Sequence, residues 1–194
     1  MEQQKIQSQK KQAKDYYIEI ADKVIGRVAS LSKGDMVLLR RTQGLTSSEL
    51  SPREKLVFYS LFPSGDGDQT IPRDPYLMDC ILFGVQTACL QDGAISPDLK
   101  IEDVIAKEYR AAERDYSGNG KSSKAAKIES FMASDGRGNK LFFHDLGWIV
   151  LRSTKTNPVN VFSLTHDLIG WGRNPKIKER WLQSMLSKDN KNES

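Results

Sequence analysis

Apolar residues recur at three- and four-residue spacing through most of the chain, and nowhere do they alternate cleanly with period two. Tyr17, Ile20, Val24, Val28 and Leu31 form one stripe, Leu77, Ile81, Val85 and Ala88 a second, and Ile101, Ile105, Tyr109 and Ala112 a third. Ile128, Phe131 and Met132, then Phe142, Leu146, Ile149 and Val150, and finally Ile177, Trp181 and Met185 continue the pattern. That period puts each set on one side of an α-helix, where it can face a core. Four capping residues followed directly by proline, Ser51-Pro52, Asp74-Pro75, Ser96-Pro97 and Asn174-Pro175, read as helix starts. Proline at the first helical position has no N–H to leave unpaired, and the residue before it caps a free N–H. Ser51 with Glu54 also fits the capping box.

Spacing and starts together predict an all-α fold of about eight or nine helices. They fall near Asp15 to Ser32, Asp35 to Gln43, Pro52 to Phe62, Pro75 to Gln91, Pro97 to Tyr116, Ser122 to Ala133, Lys140 to Ser153, Val161 to Gly172 and Pro175 to Ser187. Polar, glycine-rich breaks occur at Pro63 to Asp74, Ser117 to Ser123 and Ser134 to Asn139. The middle break divides the chain into two small packed bundles, residues 15–116 and 124–188, joined by a linker at 117–123. Residues 1–14 and 189–194 read as solvated tails.

Length and composition narrow the class. The 194 residues, 38% apolar and 28% charged, are enough for one ordinary domain or two small ones without a disulfide or metal staple. The longest stretch without Asp, Glu, Lys or Arg is Cys80 to Gln91, too short for the roughly 20 apolar residues of a spanning helix. No apolar stretch follows the basic opening MEQQKIQSQKKQAKD, so a secretory signal is not expected and a cytoplasmic location is. Cys80 and Cys89, about 13 Å apart along one helix, cannot pair and read as buried thiols of a reducing compartment.

The formal charge of +4 is modest, but its placement is uneven. Arg40 and Arg41 end a short helix, Lys121, Lys124 and Lys127 step along a helix start, and Arg152 and Lys155 close another helix. Arg173, Lys176, Lys178 and Arg180 surround a helix start with only Glu179 opposing, four positive charges against one. Clusters of Arg and Lys at helix ends suit phosphate contacts, and these eleven residues are the candidate nucleic-acid-binding set. A solvated basic helix face is the plain alternative for each.

Other motifs point elsewhere. Gly118-Asn119-Gly120-Lys121-Ser122 ends like a phosphate-binding loop, but Asp115 stands where the first glycine belongs, and a helix rather than a strand precedes it. The only two histidines form His144-Asp145 and His166-Asp167, the dipeptide used by HD-type metal phosphohydrolases. Adjacent helical residues point about 100° apart, so these pairs need not converge on a metal. No nucleophile has an activating neighbour. A helix-turn-helix regulator is a further alternative for a small basic all-α chain.

In order and spacing the chain resembles the CasB family, the small subunit of the type I-E CRISPR surveillance complex Cascade. The residues that carry the likeness are Gly34-Asp35, Leu38-Leu39-Arg40-Arg41, Phe58 to Pro63, Leu141-Phe142-Phe143-His144 and Trp148 to Arg152. Asn157-Pro158-Val159, Leu164, Asp167-Leu168-Ile169-Gly170-Trp171 and Arg180-Trp181 close it. The chain departs from the family at Asn160-Val161, where Asp-Trp is usual, and at Asp145 and Gly147, where arginines are common. The resemblance implies a non-catalytic, cofactor-free, all-helical subunit that lines up in copies along the complex, between backbone and large subunits. It also implies a basic face on guide RNA, target DNA and the displaced strand.

Overall fold

The computed structural model describes residues 15–63, 71–114, 123–137, 140–153 and 157–187. They are helical, with no strand among the described residues. A first helix, α1, covers 15–26 and runs into a tight 3-10 turn at Val28–Ser30. Then follow α2 (Lys33–Arg40), α3 (Pro52–Ser60), α4 (Pro75–Leu90), α5 (Ile101–Arg114), α6 (Ser123–Ala133), α7 (Lys140–Ser153), α8 (Val161–Gly170) and α9 (Pro175–Leu186). No helix among the described residues is long and apolar enough to cross a membrane.

The capping residues act as the sequence predicts at three of the four Xaa-Pro sites. Ser51 and Glu54 form a reciprocal box, with the Ser51 N–H donating to Glu54 at 2.7 Å. Asp74 accepts from the Tyr76 N–H at 3.0 Å and Asn174 from the Lys176 N–H at 3.2 Å. Ser96-Pro97 fails: α5 begins four residues later, at Ile101. The segment after α4 turns at residues 91–93 and stays non-helical up to Ile101, with carbonyls that have partners far along the chain. Ile95 accepts from the Val161 N–H at 3.0 Å and Leu99 from the Asn160 N–H at 2.8 Å. Gln91 ties the same two segments, exchanging hydrogen bonds with the Val159 backbone at 2.7 and 3.1 Å. α2 likewise starts earlier than Asp35, because Ser32 caps it through the Asp35 N–H.

Fourteen residues of α4 are buried, and this helix is the centre of the molecule. α2, α7, α8 and the 3-10 turn all lie against it, while α5 packs on α6, α7 and α9. α8 and α9 thus rest on α4 and α5, and residues from both sides of the expected division belong to one continuous core. Its aromatic centre is Phe131, Phe142, Trp171 and Trp181, with ring centroids 4.8 to 5.9 Å apart. Burial of such rings is the largest apolar contribution a side chain makes.

One polar residue organises this core. Gln86, fully buried on α4, donates to the Thr42 and Leu45 carbonyls at 2.7 and 3.1 Å and accepts from the Gly44 N–H at 3.2 Å. It thereby fixes the turn that follows α2. Gly44 has φ of +86°, and α7 crosses directly over it at Gly147.

Candidate nucleic-acid interface

α6 and α7 pack together and bring two separate basic runs to one place. On α7, Arg152 lies one turn beyond Trp148, its guanidinium 4.5 Å from the ring centre, and Lys127 of α6 approaches the same ring at 5.2 Å. Trp148 is half-buried, unlike Trp171 and Trp181, which are 1% exposed. Lys127 also meets Asp145 at 3.3 Å, and Lys124 pairs with Glu108 of α5. Lys121 and Lys155 lie outside the described residues.

At the end of α2 the two arginines part. Arg40 meets Asp92 at 3.2 Å, whereas Arg41 is exposed and makes no ion pair among the described residues.

The cluster predicted around the start of α9 is split three ways. Lys176 is exposed. Lys178 folds back over the Trp171 ring and donates to the Ser134 carbonyl at 2.6 Å. Arg180 turns inward, donating to Glu102 of α5 at 3.0 Å and to Asp167 of α8. The Trp181 indole N–H donates to the same Asp167 carboxylate at 2.9 Å. Hydrogen bonding to Asp167 holds the Arg180 guanidinium above its ordinary value, against the opposing effect of burial. Arg180 is thus an internal tie between α5, α8 and α9.

Arg173 takes part in a grouping that no local pattern announces. Its guanidinium and that of Arg137 both face the Asp74 carboxylate at 3.8 Å. Arg137 stands between two glycines in the loop after α6, and its partner is distant in sequence. A cation in a glycine-flanked loop was the only signal available for it.

The two His-Asp pairs do not converge. His144 meets Glu49 at 3.1 Å while Asp145 faces Lys127; His166 meets Asp22 at 2.7 Å while Asp167 faces Arg180. Among the described residues no three His, Cys, Asp or Glu side chains are grouped to hold a metal ion. Burial alone would raise the Glu49 carboxyl. Hydrogen bonds from the Thr46 N–H and hydroxyl and from His144 outweigh it and bring that carboxyl down to about 2. Both cysteines are buried thiols; burial raises Cys80 and pushes Cys89 up to about 12, so neither is a ready nucleophile. The glycine-rich run Gly118 to Ser122 lies outside the described residues.

The arrangement offers side chains for phosphate contact at three places: Arg41, Arg152 beside Trp148, and Arg137, Arg173 and Lys176 around the start of α9. No family model matches the chain, and neither does any curated protein or any solved structure.

Proposed function

We propose that this chain is a non-catalytic small subunit of a type I-E Cascade complex, a cytoplasmic antiviral assembly. In this reading it lies between the backbone and large subunits, beside further copies of itself, and holds the phosphates of guide RNA, target DNA and the displaced strand. The reading rests on the ordered motifs shared with CasB proteins. One structural observation carries it further: basic residues far apart in sequence gather at helix ends and beside an aromatic ring. Such contacts carry no sequence information, and none is needed, because guide pairing supplies it. A near-balanced strand exchange is tipped by a few phosphate contacts.

The test is co-expression with Cascade backbone and large subunits and a guide RNA, followed by target binding. The guide should co-purify with this chain. Replacing Arg41, Arg152, Arg173 and Lys176 by Ala should weaken R-loop formation without loss of assembly. Five outward cations, Arg137 included, give a single-strand salt slope near −3.5, from about −0.7 per phosphate. Arg180 stays out of this set, because its loss would disturb the fold. No assembly with these partners, or R-loop formation unchanged by the four substitutions, overturns the reading. Sequence-specific binding to a free duplex would instead identify a helix-turn-helix regulator.

A further inference from the structure

We propose that Arg137 and Arg173 form a notch for one backbone phosphate of a nucleic acid, and that the Asp74 carboxylate holds the anion's place in the free chain. The inference rests on the nucleic-acid reading above and adds to it a residue pair and an internal competitor.

The notch is out of balance in a way that suits an exchangeable anion. Asp74 is engaged in the fold, since one carboxylate oxygen accepts the Tyr76 N–H at 3.0 Å and caps α4. Its other oxygen faces both guanidiniums at 3.8 Å, close enough to attract but beyond hydrogen-bond reach. One negative charge therefore stands against two positive ones, and the forked N–H donors that make arginine strong on anions have no partner in Asp74. Arg137 and Arg173 are 40% and 48% exposed, so a ligand can reach them, and Asp74 is 30% exposed. A phosphodiester brings one charge and two unbridged oxygens, which matches two guanidiniums better than a carboxylate held by a helix cap. Exposed Asp135, in the same loop as Arg137, opposes the pair; Lys176, in the first turn of α9 beside Arg173, adds to it.

Arg137 is also held in position, which lowers the entropy lost on binding. Gly136 before it has φ of +81°, and a Cβ there would meet the Tyr76 hydroxyl at 3.0 Å and the Phe142 ring at 3.3 Å. The loop is anchored at Ser134, whose carbonyl accepts from the Trp171 indole N–H at 3.0 Å and from Lys178 at 2.6 Å. The guanidinium itself lies over the Tyr76 ring, 5.3 Å from its centre. Gly172 lies against the same loop, where an added Cβ would meet the Asp135 carbonyl oxygen at 3.0 Å.

Opposite signs from neighbouring substitutions make the test decisive. The full chain is titrated against a fluorescein-labelled oligothymidylate of about 20 nucleotides, by anisotropy, across a salt series. Asp74→Asn keeps a good cap and should tighten binding about three- to tenfold. Arg137→Gln should weaken it by a similar factor and make the salt slope shallower by about 0.7. Arg137→Lys should keep the slope and fall between the two in affinity. In an Arg137→Gln/Arg173→Gln background the Asp74→Asn gain should vanish. Thermal melting by circular dichroism confirms that each variant is folded. The notch is overturned if Asp74→Asn is neutral or weakening in a folded variant, or if its gain survives removal of both arginines. It is also overturned if inorganic phosphate at matched ionic strength displaces the oligonucleotide, which would indicate a small-anion site. If the wild-type chain binds the oligonucleotide only within the assembled complex, the same variants are read there by R-loop formation, with the same expected signs and the same overturning results. A chain that neither binds the oligonucleotide nor retains guide RNA in the co-purified complex overturns the broader reading instead.

Discussion

Arg180 separates the two roles a basic residue can play here, and its replacement by Met has a calculable outcome. The guanidinium lies between Glu102 and Asp167, whose side chains are only 4% and 10% exposed. Removing it leaves two buried carboxylates facing each other's helices. Asp167 keeps the Trp181 indole N–H, while the second oxygen of Glu102 already has no hydrogen-bond partner among the described residues. Breaking a buried pair from one side typically costs about 3 to 5 kcal/mol. Arg180 is itself 45% exposed, and water screens the interaction, so we expect about 2 to 3 kcal/mol. For a chain of this size that lowers the Tm by roughly 5 to 10 °C. Urea unfolding followed by tryptophan fluorescence measures it directly, since Trp171 and Trp181 are core residues. Methionine preserves the apolar stem, so the loss reports charge rather than packing. Arg173→Met and Lys176→Met, at exposed positions, should stay within about 0.5 kcal/mol of wild type. Should Arg180→Met be equally silent, the buried tie does not exist and Arg180 returns to the ligand-facing set.

Two further outcomes follow from local geometry. The Glu49 carboxyl lies at about 2 in the folded chain against an ordinary 4.5, so its ionised form favours the fold. That contribution is complete above about pH 5, and falls by more than half as pH drops to 3, on the order of 2 kcal/mol. Glu49→Gln should therefore be clearly less stable than wild type at pH 7 in urea titrations, and the gap should narrow at pH 3; a gap that widens would refute the assignment. Gly147→Ala meets backbone, because a Cβ there would lie 2.6 Å from the Gly44 Cα and 2.9 Å from its N. We expect a loss of about 1 to 3 kcal/mol, whereas an unhindered helical glycine would gain about 1 kcal/mol on the same change.

Local rules made the helices legible, and distant partners set their limits. Ser51-Pro52 and Asn174-Pro175 mark helix starts because the cap and the fixed φ act within four residues. Ser96-Pro97 carries the same signal and starts nothing, because the Ile95 and Leu99 carbonyls bond to the entry of α8, more than sixty positions on. Gln86 lies in the most apolar run of the chain, where spacing could mark only a polar interruption. Its function, pinning the turn at Thr42 to Leu45 under Gly147, exists only once α2, α4 and α7 are assembled. The same holds for Asp74: its cap was readable, but its two arginines come from loops after α6 and α8.

For the basic clusters, charge alone misleads and helical phase corrects it. α9 buries Ile177, Trp181 and Met185, a stripe centred on Trp181. At 100° per residue Lys178 sits about 60° to one side of that centre, Arg180 about 100° to the other, and Lys176 about 140° away. A cation beside a buried stripe can fold its head back onto core partners while its stem covers apolar surface. Lys178 does so on Trp171 and the Ser134 carbonyl, and Arg180 does so on Glu102 and Asp167. Lys176, farthest from the stripe, remains outward. The surplus that looked like one four-cation cluster at α9 is thus two internal ties and two outward charges, Arg173 and Lys176. An interface sized from the sequence count would be too large. Arg137, which the count omitted, restores part of the difference by standing across Asp74 from Arg173.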